Sequence, residues 1–139
     1  MFSYCGIAEN TKTLKQWAQI YKGLERLDVV WDKVLEALEN ADEYSLALPQ
    51  IEWLETVFEQ LLVYFTYRHL ADSLDDGRFI ARLQFAVQSY RMIKWISAIH
   101  FKKYGAIDLQ IVAEIARIYS AEIEYSTDNI DALLDIFEE

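Results

Sequence analysis

RFIARLQFAVQSYRMIKWISAIHFKKY, Arg78 to Tyr104, is a run of 27 residues without Asp, Glu, Pro or Gly. Its apolar side chains (Phe79, Ile80, Leu83, Phe85, Val87, Tyr90, Ile93, Trp95, Ile96, Ile99 and Phe101) fall on nearly every side of a 3.6-residue wheel. A helix apolar all round is one that other helices cover. The charges in this run, Arg78, Arg82, Arg91, Lys94, Lys102 and Lys103, are all positive. Residues 1–77 carry 6 basic and 14 acidic groups, residues 78–107 carry 6 basic and none acidic, and residues 108–139 carry 1 and 9. The pattern predicts a central helix docked against acidic neighbours.

Outward from that helix, the composition bounds the fold. A chain of 139 residues that is 53% hydrophobic and 14% aromatic, with four Gly and one Pro, can bury one core and favours helix throughout. The expectation is an all-α fold, a single-domain helical bundle of five to six helices around a central buried helix, spanning residues 1–139 with residues 1–10 as an irregular lead-in. The net charge of −10 repels phosphate backbones and anionic lipid, so nucleic-acid and membrane-surface roles are disfavoured. Charges interrupt every apolar stretch before the roughly 18 residues that a membrane helix needs. Cys5 is the only cysteine, which excludes an intrachain disulfide and a cysteine-built metal or iron–sulfur site within the chain. A reduced, cytoplasmic setting fits.

Thr11 is a candidate N-cap for a first helix with Leu14, Trp17, Ala18, Tyr21 and Leu24 on its apolar face. Gly23 and the capping potential of Asp28 divide it from a second, where Leu27, Val30, Trp31, Val34, Leu35 and Leu38 keep a helical period. After a connection around Pro49, a long helix from Ile51 to about Leu74 places Ile51, Leu54, Val57, Phe58, Leu61, Leu62 and Phe65 on one face, with Arg68 among them. Asp75-Asp76-Gly77 closes it, and Gly105 closes the central helix. Asp108 then caps a helix reaching about Glu124, and Ser126 or Thr127 caps a last one with Ile130, Leu133, Leu134 and Phe137 facing in.

The least expected residue is Glu122, which the 100° step places among Ile111, Val112, Ile115, Ile118, Tyr119 and Ile123. A buried carboxylate needs a partner. Arg68 is the first choice, followed by Arg82 and Arg91, and a helix-registering ion pair is favoured over a ligand site. Glu52, Glu55 and Glu59 share one helical face but lack the Glu-x-x-His pairs of a carboxylate metal site, so a solvated acidic face is favoured. His69 and His100 read as packed or surface imidazoles, and Cys5 lacks a fixed base beside it. No catalytic set and no metal site is assigned.

Three runs carry a resemblance: LETVFEQLLVYFTYRHL at Leu54–Leu70, DDGRFIARLQFAVQSY at Asp75–Tyr90, and IARIYSAEIEYSTDNIDALLDIF at Ile115–Phe137, with a weaker match GLERLDVVW at Gly23–Trp31. In this order and spacing they resemble the C-terminal helical part of the flagellin lysine-N-methylase family. The resemblance implies transfer of methyl groups from S-adenosylmethionine to lysines of flagellin, or of another lysine-bearing protein, in the bacterial cytoplasm. It also implies a cysteine-rich N-terminal part holding an iron–sulfur cluster, for which this chain has no ligands. The family's run S-R-E-[IV]-E-H-S stands here as Ser120 to Ser126 with Ala121 and Tyr125 replacing Arg and His, while Tyr119, Glu122, Glu124, Ser126 and Asn129 match. Tyr119, Glu122, Glu124, Asn129 and Arg68 are therefore the candidate binding residues. A working methylase part should show a concave pocket near Tyr119 and Glu122, whereas a non-catalytic docking module should show that region closed by packing. The chain alone, lacking the cysteines, is expected to be inactive.

Overall fold

The computed structural model describes residues 12–26 and 28–139. Six α-helices make up the bundle: α1 (Leu14–Lys22), α2 (Val29–Asn40), α3 (Glu52–Asp76), α4 (Phe79–Tyr104), α5 (Leu109–Tyr119) and α6 (Thr127–Phe137). A 3₁₀ turn, Glu43–Ser45, follows α2, and a π-helical turn, Ser120–Glu124, follows α5. Among the described residues there is no strand, and no helix is long and apolar enough to cross a membrane. Cys5 and the lead-in lie outside the described residues, as do Leu27 and Thr11.

Local chemistry sets the ends. The side chain of Thr13, two residues beyond the expected Thr11, accepts from the Gln16 N–H, and Gln16 Oε1 accepts from the Thr13 N–H, so α1 opens with a reciprocal capping box. The expected caps Asp28, Asp108 and Ser126 accept from the N–H groups of Val30, Ile111 and Asn129. Gly77 (φ 69°) and Gly105 (φ 71°) close α3 and α4 in the left-handed region that a side chain would strain.

α4 is the axis, with α2, α3, α5 and α6 packed on it. Phe85, Ala86, Met92 and Ile93 have no exposed surface. The cover is incomplete at the ends, where Phe79 and Ile80 are each 50% exposed and Tyr104 is 62% exposed. Neighbouring helices reach only the middle turns. Charge complementarity is also partial. Arg78 holds Asp135 and Glu138, and Arg82 holds Asp76 and Asp72, but Arg91, Lys94, Lys102 and Lys103 hold no carboxylate among the described residues. The basic helix is thus matched by acid over its first turns only.

α3 buries Leu54, Phe58, Phe65 and His69 against α4 and turns a second apolar face outward. Trp53, Val63, Tyr67 and Leu74 lie within about 40° of one line down that outer face. Tyr67 is 76% and Leu74 89% exposed, so nothing in the bundle covers this stripe.

Candidate functional site

The candidate residues meet where α5 changes pitch. The N–H of Tyr125 donates to Ser120 O at 3.0 Å, a bond to the fifth residue back, and the turn widens. Glu122, Ile123 and Glu124 are all buried, at 3%, 0% and 4% exposure. Three successive residues point in widely different directions from any helical turn, so this turn must be enclosed on several sides. α3 closes over Glu124, and α6 with the α1–α2 connection closes over Glu122.

Glu124 is the anchor on the α3 side. Its Oε2 accepts from Arg68 Nε at 2.8 Å and from His69 Nε2 at 2.9 Å, while Tyr64 donates its hydroxyl to Oε1 at 3.3 Å. Burial alone would raise this carboxyl's pKa, but hydrogen bonds from His69 and Ser120 and the charges of His69 and Arg68 outweigh it and hold the carboxyl below its ordinary value. His69 is itself buried, stacked on Phe65 and meeting Phe85 edge-on at 4.6 Å. The bond to the carboxylate assigns the proton to Nε2, and Nδ1 is buried without a hydrogen-bond partner.

The expectation for Glu122 is half met. It is buried, but Arg68 gives its Nε to Glu124, Arg82 pairs with Asp76 and Asp72, and Arg91 stacks on Trp95. The wheel put both Glu122 and Arg68 on inward faces without saying that the carboxylate opposite Arg68 would be the one two residues on.

Tyr119, fully buried, lies among Tyr21, Trp31 and Phe65, and its hydroxyl joins Tyr21 Oη at 2.9 Å to Ser89 Oγ at 2.8 Å. Burial pushes the pKa of both phenols upward, so each stays protonated at neutral pH and neither serves as a base. Tyr119→Phe should cost about 1–2 kcal/mol by leaving Tyr21 and Ser89 short of a partner in a dry core. Thermal unfolding with unchanged helix content checks this.

Asn129, 2% exposed, pairs with the main chain as a strand would: its Oδ1 accepts from the Glu25 N–H at 2.9 Å, and its Nδ2 donates to Glu25 O at 2.8 Å and to Glu122 O at 2.9 Å. One side chain thus ties the α1–α2 connection to the π turn.

Of the five candidates, Arg68 alone reaches solvent, with 44% of its side chain exposed and its guanidinium 5.9 Å from the centre of the Tyr125 ring. Ala121 and Tyr125, where the resemblance implies Arg and His, border a shallow depression of about 380 Å³ between α3 and α5 with Tyr64, Phe65 and Ala116. Sequence reasoning left His69, Tyr64, Tyr21 and Ser89 out of this assembly. For His69 a signal existed, since it continues the spacing of Leu54, Phe58 and Phe65 on the inward face of α3.

No group of three or more His, Cys, Asp or Glu is placed to hold a metal ion among the described residues. A single cysteine does not fit an iron–sulfur cluster, and the region around Tyr119 and Glu122 has no room for a bound nucleoside. In comparison with known proteins, the family model of the FliB lysine N-methylase C-terminal domain matches residues 1–139, the whole chain. No curated protein and no solved structure matches.

Proposed function

Since the chain belongs to the FliB lysine N-methylase C-terminal domain family, we propose that it serves as the helical docking part of a protein-lysine methylating system and supplies no reacting group itself. The observation that carries this reading is the closed interior at the candidate residues. Tyr119, Glu122, Glu124 and Asn129 are each less than 5% exposed, and the side chains of Tyr119, Glu124 and Asn129 are bonded within the chain. An acceptor lysine and a methyl donor would have to displace that packing before meeting any of them.

The outer face of α3 is the docking surface in this reading. Its stripe of Trp53, Val63, Tyr67 and Leu74 is flanked by Glu52, Glu55 and Glu59 on one side and by Asp75 on the other. Aromatic area at the centre of a contact supplies affinity, and an acidic rim attracts a lysine-bearing partner. Flagellin, the partner implied by the resemblance, is the protein to test.

Titration of the whole chain with flagellin at low salt should give saturable binding. Tyr67→Lys should weaken it at least tenfold by placing a charge at the centre of the stripe, and Glu59→Lys should weaken it several-fold. Absence of binding, or binding indifferent to both substitutions, would overturn the docking assignment.

A further inference from the structure

Half-way along α4 one face of the helix leaves the core and forms the floor of an open depression of about 480 Å³. Arg91, Lys94 and Trp95 rise from that floor, Leu46 and Leu48 of the segment after the 3₁₀ turn form the opposite wall, and Glu43 stands at the rim. The volume falls within the roughly 300–1,000 Å³ of small-molecule sites.

Arg91 is the unusual member. The other five arginines of the chain each hold a carboxylate. Arg91 is half-buried, stacks on the Trp95 ring at 4.8 Å, and makes no hydrogen bond or ion pair with any described residue. Its planar fork of five N–H donors is built for bidentate capture of an oxyanion, and stacking on an indole fixes the plane in which that capture occurs. Lys94, one helical turn along, is likewise without a carboxylate and lies 5.3 Å from the centre of the Tyr90 ring. Glu43 does not neutralise the pair, because its Oε1 accepts the Leu14 N–H at 2.5 Å and no oxygen of it reaches either cation within ion-pair distance.

These features define a ligand. Two cations against one rim carboxylate leave a single net positive charge, which suits a monoanion better than a dianion. The leucine and tryptophan walls suit an apolar body beside that charge. We propose that this depression binds a small monocarboxylate with an apolar or aromatic body, its carboxylate taken by Arg91 with Lys94 alongside and its body laid against Trp95, Leu46 and Leu48. None of the residues that resemblance singled out takes part.

Calorimetric titration of the whole chain with 3-phenylpropionate, its uncharged amide and phenyl phosphate tests this. The acid should bind saturably, the amide should show no binding, and phenyl phosphate should bind more weakly than the acid. Arg91→Met should weaken the acid at least tenfold and Lys94→Met about threefold. Should Arg91→Met fail to fold, Lys94→Met and the weakening of wild-type binding by added salt carry the same test. No saturable binding of the acid, equal binding of acid and amide, preference for the phosphate, or indifference to both substitutions would each overturn the proposal.

Discussion

Glu124→Leu should destabilise the bundle by about 3–5 kcal/mol, the usual consequence of removing one partner from a buried ion pair. The carboxylate side chain has no exposed surface and receives Arg68, His69 and Tyr64 from α3. Removing it strands the Nε2–H of His69, which is enclosed by Phe65 and Phe85 and already carries an unpartnered Nδ1. For a domain of this size the loss corresponds to a fall in Tm of about 10–15 °C. A second substitution decides the mechanism. In Glu124→Leu/His69→Phe the orphaned imidazole is gone, and most of the lost stability should return, since an apolar pair can replace a buried ionic one. A double variant as unstable as the single one would show that shape and not polarity is at issue.

The same group sets an acid limb. The carboxyl of Glu124 is held below its ordinary value in the folded chain, so its contribution is present above the unfolded pKa and is lost as pH falls through the folded one. Stability of the wild type should therefore decline from about pH 5 downward. Glu124→Gln, less stable at pH 7, should show a flatter decline over that range in denaturant titrations.

Asn129→Leu should cost about 2–4 kcal/mol. The substitution is close in volume, so packing changes little, but three main-chain groups lose their partner: the N–H and C=O of Glu25 and the C=O of Glu122. Because these lie on the α1–α2 connection and on the π turn, the damage should be local as well as global. Amide exchange at Glu25 should accelerate in the variant far more than exchange at Phe85 or Met92 in the middle of α4. Uniform acceleration across the chain would mean that Asn129 contributes only to overall stability and does not clamp the connection.

Much of the helical framework was legible because it rests on local chemistry. The caps at Asp28, Asp108 and Ser126 and the left-handed glycines at 77 and 105 work through groups a few residues apart, and the run from Arg78 to Tyr104 announces its burial by composition. The π turn was not legible. The 3.6-residue pattern through Ile115, Ile118 and Tyr119 continues smoothly into Glu122, and a wheel then sends Glu124 roughly 200° away, toward what reads as solvent. That direction is occupied by α3, and only tertiary packing supplies it. The assignment of Arg68 failed for the same reason: spacing identifies an inward-facing cation but not which of two carboxylates on another helix it meets. The charge pattern overstated complementarity, because it counts acids in a segment without showing that most face water while Arg91 and Lys94 face a depression.

The family places the chain beside lysine methylation, and the packing of its matched residues places the reacting groups elsewhere. The most direct test is to incubate the whole chain with flagellin and methyl-labelled S-adenosylmethionine and to count label retained by flagellin after denaturation. The docking account predicts no label above that found with flagellin alone. Label incorporated in proportion to the chain, and abolished by Glu124→Gln, would contradict it and make the buried assembly around the π turn a reacting centre.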